Sequence, residues 1–210
     1  MFNKLLPVLG VLMMLQTSGL GAVGCDLNEP DRDVKRFFSE MTSYKTEYFS
    51  VKKSGGEKLY ELVQQRYGAK FKGLYETIDV PYTVYTVLIG KTVVGYIHGV
   101  NQKGKYGGLQ VFLALDPKGI IIQQYFQKMT GSYAGKFRDR AFSSQFAGLS
   151  LADFIGYDVN TGKIPPKSKL NQIINPVPAA VDDFSAALSG IKKNLILMNI
   201  FVFSQKEAGK

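Results

Sequence analysis

Residues able to do chemistry are few in this chain, and their scarcity narrows the chemistry available. His98 is the only histidine and Cys25 the only cysteine. One of each builds neither a Cys-His nucleophile pair nor a His-rich metal site, and a single cysteine makes no disulfide framework. His98 lies within Thr92-Val93-Val94-Gly95-Tyr96-Ile97-His98-Gly99-Val100, which reads as a strand and gives it a structural role ahead of a catalytic one. A Ser-His-Asp triad would have to recruit that histidine, and no nucleophile elbow is present. Asp182 and Asp183 could help to hold a metal, but adjacent acids at the start of a predicted helix serve more simply as partners of its dipole.

Two segments combine glycine, an aromatic ring and lysine: Gly104-Lys105-Tyr106-Gly107-Gly108 and Gly131-Ser132-Tyr133-Ala134-Gly135-Lys136. Flexible backbone lets main-chain N–H groups approach an anion, and lysine adds charge. Neither is a Walker or Rossmann pattern, and each also reads as an ordinary turn. The free N–H groups at the start of the last helix make a third place for an anion.

The elements that must position these residues are legible in outline. Val34 to Tyr44 reads as helical or mixed, with Phe37-Phe38, Met41 and Tyr44 spaced by three or four. After the break Ser54-Gly55-Gly56, a short amphipathic helix runs from Glu57 to Tyr67 and closes at Gly68. Tyr82 to Leu88, Thr92 to Val100, Leu109 to Leu115 and Ile120 to Phe126 read as four strands, joined by turns at Gly90-Lys91, Asn101–Gly108 and Asp116-Pro117-Lys118-Gly119. Three successive hairpin turns imply an antiparallel meander. Phe137 to Phe146 suits a helix, Leu149 to Val159 a strand ending at the Asn160-Thr161-Gly162-Lys163 turn, and Ile164 to Pro178 a loop. Val181 to about Phe203 is a long helix, with Leu188, Ile191, Leu195, Met198 and Val202 along one face. The expected class is α+β: an antiparallel β-meander packed with a few helices and a long C-terminal helix.

The amino terminus predicts export. Lys4 supplies a positive start, Leu5 to Leu15 an apolar stretch, and Gly21-Ala22-Val23-Gly24 small residues directly before Cys25, the order that a secretion signal requires. Two other readings compete. One is a spanning anchor, against which stand Pro7 and Gln16-Thr17-Ser18; the other is an ordinary signal peptide cut near Ala22. Ala22-Val23-Gly24-Cys25 resembles a bacterial lipobox, with alanine where leucine is commoner. That resemblance implies a lipid on Cys25 and a protein held on the outer, periplasmic side of the cytoplasmic membrane. Asp26, next in line, resembles a signal for retention in the inner membrane. The expected organisation is a signal peptide over 1–24, a polar tether over 25–33 and one domain over 34–210, long enough for a real core.

The formal charge of +9 at pH 7 comes from lysines and arginines spread along the chain. Nucleic acid is a poor partner for an exported chain without a recognisable module. A basic face toward anionic lipid headgroups and a merely solvated surface are the readings left.

The order of these pieces resembles a family. A strand hairpin, the Gly107-Gly108 strand, the Asp116-Pro117-Lys118-Gly119-Ile120 turn and a glycine loop come first; Phe142-Ser143-Ser144-Gln145-Phe146 and Asp182-Asp183-Phe184-Ser185-Ala186-Ala187-Leu188 follow. Over roughly Tyr82 to Leu197 this is similar to an FMN-binding domain, as in the periplasmic flavin subunits of the sodium-pumping quinone reductase and Rnf complexes and in exported flavoproteins. In that family an Asp-x-x-Ser/Thr-Gly-Ala-Thr motif opens the last helix, and a flavin transferase esterifies its threonine to the FMN phosphate. A Glu-Thr-Pro-Gly-like loop after the meander lies near the flavin.

Here Asp182, Ser185 and Ala187 match the motif, Ala186 replaces its glycine, and Leu188 stands in place of the threonine. Leucine has no hydroxyl, so no phosphoester forms there. Ser189 lies about 100° further round the helix and is expected to face elsewhere. Lys128-Met129-Thr130-Gly131 keeps only the glycine of the other loop and exchanges its acid for a base. The resemblance implies phosphate at the N–H groups of Ser185, Ala186 and Ala187, and Thr130 and Gly131 bordering the ring. It also implies an inner-membrane electron-transfer complex as partner. The chain is therefore expected to be a non-covalent flavin carrier or accessory, an electron-transfer or binding protein rather than a stand-alone enzyme. The competing expectation is a flavin-free accessory, assembly or ligand-binding lipoprotein of the same fold. A hydrolase lacks its nucleophile and base.

Overall fold

A computed structural model describes residues 24–71 and 76–204. The proposed signal sequence therefore lies outside the described residues except for Gly24. The elements run α1 (Pro30–Phe37), β1 (Ser43–Phe49), α2 (Val51–Tyr67), β2 (Tyr82–Ile89), β3 (Thr92–Lys103), β4 (Gly108–Leu115), β5 (Ile121–Lys128), α3 (Ala134–Arg138), α4 (Arg140–Ser143), α5 (Leu151–Phe154) and α6 (Val181–Met198). All five strands pair antiparallel in the order β1-β2-β3-β4-β5. The α+β class and the long last helix are as the sequence predicts, with one further strand.

Both faces of the sheet are covered, which explains the nearly unbroken apolar character of β2 and β4. On one face Val84, Tyr96, Val100, Val111 and Leu113 pack with Leu188, Ile191 and Leu195 of α6 in a single core. On the other, Tyr85, Val87, Ile97, Phe112 and Ala114 meet Cys25, Leu27, Val34 and Phe37 in a second, smaller core. Cys25 and Leu27, from the segment expected as a tether, thus lie against the sheet. Leu27 N–H donates to the Tyr85 hydroxyl at 3.1 Å, and Thr83 donates to Asp26.

Among the described residues one helix, Val181–Phe203, is long and apolar enough to cross a membrane, yet 83% of its most apolar window is buried inside the domain. Packing on the sheet accounts for that composition. Gly190 permits the close approach, since a Cβ there would lie 2.7 Å from Val111 Cγ2.

Several elements differ from their sequence reading. Helical structure after Val34 stops at Phe37, and Ser43–Phe49 is the edge strand β1. Its mostly exposed residues carry little apolar signal. The helix expected from Glu57 begins at Val51, capped by Ser50 Oγ accepting from Lys53 N–H at 3.2 Å, and Gly55-Gly56 form a kink inside it. Phe137–Phe146 is broken at Asp139 (ψ 145°) into α3, α4 and a 3-10 turn over Ser144–Phe146. The strand expected over Leu149–Val159 is not formed. Ser150 and Asp153 make a capping box that starts α5 instead, satisfying the first-turn N–H groups locally.

Candidate functional site

An open cleft of about 660 Å³ lies at the amino-terminal end of α6. One wall is the first two turns of α6, with Val181, Asp182, Ser185, Ala186 and Ser189; the others are the β3–β4 hairpin (Gln102–Lys105) and the loop Val159–Gly162. Its size falls within the range of small-molecule pockets.

The two loops are held to the helix by specific bonds. Asn160 donates its amide to Gly68 O at 2.8 Å, at the end of α2. Lys192 Nζ donates to Tyr157 O at 2.7 Å, and the Tyr157 hydroxyl donates to Ser185 O at 3.1 Å. Asp158 accepts from Asn160 N–H and the Thr161 hydroxyl and closes the turn. Those donors hold its carboxyl below the usual range. On the hairpin side Lys105 Nζ lies 3.1 Å from Asp182 Oδ2, and hydrogen bonding to that carboxylate raises the Lys105 ammonium above its ordinary value. The pair is exposed and spans hairpin and helix at the cleft.

Asp182, Ser185 and Ala186 of the sequence-predicted set line the cleft. Ala187 is fully buried and Leu188 is 1% exposed; both belong to the main core. Thr130 and Gly131 are outside the cleft lining and pack on the hairpin that borders it: Thr130 Oγ1 donates to Tyr106 O at 3.2 Å. Gly131 has φ 121° with the Tyr106 ring against it, a place a side chain could not take. The hairpin tip therefore stands between the two groups of predicted residues.

Ser189, expected to face away, lines the cleft where Leu188 does not. Its hydroxyl also meets those of Tyr67 and Tyr157, both of which burial pushes above the ordinary tyrosine value. Ser189 sits one turn beyond Ser185 and about 40° round from it, whereas Leu188 lies about 100° from Ser189 and turns into the core.

Behind the cleft, Lys193 is 1% exposed along its side chain, and its ammonium donates to Glu76 Oε1 at 2.6 Å and Asn101 O at 2.5 Å. Burial lowers its proton affinity, opposed by Glu76. Asp183 Oδ1 is buried with no hydrogen-bond partner among the described residues, in the first turn where the helix dipole favours negative charge. Among the described residues no group of three or more His, Cys, Asp or Glu is placed to hold a metal.

Sequence reasoning passed over Gln102, Lys103 and the Val159–Gly162 wall as site residues. The signal for them was the pair of Gly/Lys-rich turns at 101–108 and 160–163, of which only Gly104–Gly108 also reads as an anion loop.

No protein-family model matches the chain, and no curated protein matches it by sequence. Its fold is similar to the crystal structure of Shewanella oneidensis NqrC, with a TM-score of 0.55 and 12% identity over 84% of this chain and 88% of that one. The likeness is one of fold, and it extends across nearly the whole of both chains.

Proposed function

We propose that this chain is an exported, membrane-tethered protein of the FMN-binding type that holds flavin non-covalently beside a membrane electron-transfer complex. The observation that carries the reading is the cleft at the start of α6, where Lys103 and Lys105 face Ser185 and Ala186. The fold likeness to NqrC and the sequence resemblance to FMN-binding domains support the flavin-domain part of that reading.

The residues present fit a non-covalent flavin better than an ester-linked one. Lys103, Lys105 and the first turn of α6 would hold the phosphate, through ammonium charge and main-chain N–H groups. Val159, Val181 and Ala186 offer apolar wall to a ring. Position 188 lies in the core, so the family's attachment point is both without a hydroxyl and out of reach. A bound flavin would supply the electron chemistry; the protein positions it and sets its surroundings. Asp182 competes with any phosphate for Lys105, so ligand entry at that end exchanges one anion for another.

The tether in this reading is a lipid on Cys25. Cys25 is 2% exposed, and a diacylglycerol on Sγ does not fit that position. Lipidation therefore acts before this face is packed, and the anchored chain carries Cys25 clear of the second core.

A second reading, a flavin-free accessory of the same fold, is favoured by the Lys105–Asp182 pair at the cleft and by Leu188. Absorbance of the protein purified from a flavin-replete host, before and after acid precipitation, separates the two. Flavin released to the supernatant is the expected result. Flavin retained in the pellet, or none even after titration with FMN, overturns the first reading; the latter leaves the second.

A further inference from the structure

A second cavity, of about 410 Å³, lies at the β5 edge of the sheet between α1 and α4 and shares no lining residue with the cleft at α6. It is lined by Arg36 from α1, Arg140 from α4, Ile122 and Gln123 from β5, and Ser143 and Ser144. We propose that it is a phosphate-binding site, taking the phosphate of a lipid headgroup or of a soluble phosphoester.

Two arginines from separate elements line the cavity, and no carboxylate does. Arg36 is held in place by stacking: its guanidinium carbon lies 4.1 Å from the Tyr125 ring centroid and 4.9 Å from that of Phe37. Its nearest acid, Asp33, is at 3.9 Å and is engaged more closely by Arg32 at 3.3 Å. Arg140 makes no ion pair among the described residues. A planar guanidinium fixed on an aromatic face loses little freedom on binding and presents paired N–H groups that match a phosphate. Gln123, whose side chain makes no hydrogen bond among the described residues, adds an amide donor. Ser144 Oγ donates to Ala141 O at 3.5 Å, a long bond readily exchanged for a phosphate oxygen. The volume admits a phosphate with a small polar substituent such as glycerol.

An acidic protein partner is the other anion that arginines attract. The observations favour phosphate, because the two arginines line a half-open concavity of about 410 Å³ rather than a flat patch. The site is independent of the flavin reading and uses none of its residues.

The test is calorimetric titration of the purified full chain in detergent with inorganic phosphate and glycerol phosphate, and co-sedimentation with phosphatidylglycerol and phosphatidylcholine vesicles. The same measurements are made on Arg140→Ala, Arg36→Ala and the surface control Lys136→Ala. Expected is phosphate binding that Arg140→Ala weakens tenfold or more while Lys136→Ala leaves it unchanged. Arg140 and Lys136 are exposed, so both variants keep the fold, which circular dichroism checks if Arg36→Ala loses it. Loss of phosphatidylglycerol binding in Arg140→Ala assigns the phosphate to a lipid; unchanged vesicle binding with lost glycerol phosphate binding assigns it to a soluble ester. No phosphate binding by the wild type, equal loss in Lys136→Ala, or Arg140-dependent binding of polyglutamate in preference to phosphate overturns the proposal.

Discussion

Asn194 fixes His98 in one tautomer. The Asn194 amide donates to two main-chain oxygens, His98 O at 2.8 Å and Val111 O at 3.1 Å, so its Oδ1 faces the imidazole at 2.9 Å. An oxygen there requires Nδ1 to carry the proton. Nε2 is left bare and without a partner among the described residues, beside the Tyr82 and Phe201 rings. The only histidine of the chain is thus a neutral core group that ties β3 to α6.

Its titration follows. Complete burial depresses the imidazole to about 4, against the raising effect of Asn194. Between that value and about 6.5 the unfolded chain holds a proton that the folded chain does not, so stability rises with pH there and is lost as pH falls. The full loss below pH 4 is of the order of 3 kcal/mol from this group. A single imidazole resonance followed by NMR is expected to titrate near 4; a midpoint above 6 would refute the assignment.

Asn194 itself is predicted to be indispensable for stability. In Asn194→Leu two carbonyls and the Nδ1–H of His98 lose their partners inside the core, each unmet group costing about 1–3 kcal/mol. Denaturant unfolding is expected to show a loss of at least 2 kcal/mol, and one below 0.5 kcal/mol would mean that water or repacking replaces the amide.

How far such features are legible in sequence depends on what their residues touch. The β2–β5 meander and α6 announce themselves because burial forces period and composition. The turn at Asp116–Gly119 does so through side-chain acceptance, Asp116 Oδ1 taking Lys118 and Ile120 N–H at 2.8 and 2.9 Å. Strand β1 is silent because an exposed edge asks only for backbone pairing. The Leu149–Val159 segment misleads because its apolar residues fit either period, and the capping signature Ser150…Asp153 was the deciding clue. Lys192, Lys193 and Asn194 stand together in an otherwise apolar helix, yet all three are buried; their partners come from β3, β4 and distant loops that no local pattern names. At the cleft, motif spacing located the start of α6 but not which of its positions face outward.

The Lys105–Asp182 pair makes the cleft's affinity depend on exchange. Lys105→Ala is expected to weaken FMN binding several-fold by removing a phosphate partner, whereas Asp182→Asn strengthens it by removing the competing carboxylate. Flavin fluorescence quenching measures both. Opposite signs are the diagnostic, since an exposed pair such as this contributes little to folding.

Leu188→Thr separates sequence register from geometry. By register the change places a hydroxyl where the flavinylation motif of FMN-binding domains carries its threonine. In the fold that side chain is 1% exposed within the main core, so threonine there loses apolar burial and strands a hydroxyl, at a cost of about 2–4 kcal/mol. Co-expression with a flavin transferase is expected to yield no flavin fluorescence in a denaturing gel. A fluorescent band would mean that α6 turns its Leu188 face to the cleft.

Cys25 distinguishes the anchored from the unanchored chain by its thiol. In the packed arrangement burial, with Asp26 nearby, raises it to about 12, and a thiol both hidden and protonated reacts slowly with maleimide. An unlipidated chain is therefore expected to label only after unfolding, whereas a lipidated one, its sulfur already in a thioether, labels in neither state. Membrane-extracted protein that labels stoichiometrically on denaturation would remove the lipid anchor from the proposal. No labelling, together with release of Cys25→Ser from the membrane fraction, would place residues 25–27 outside the second core in the working protein. The space left beneath Tyr85 and Ile97 would then show as a lower unfolding midpoint than that of the unlipidated chain.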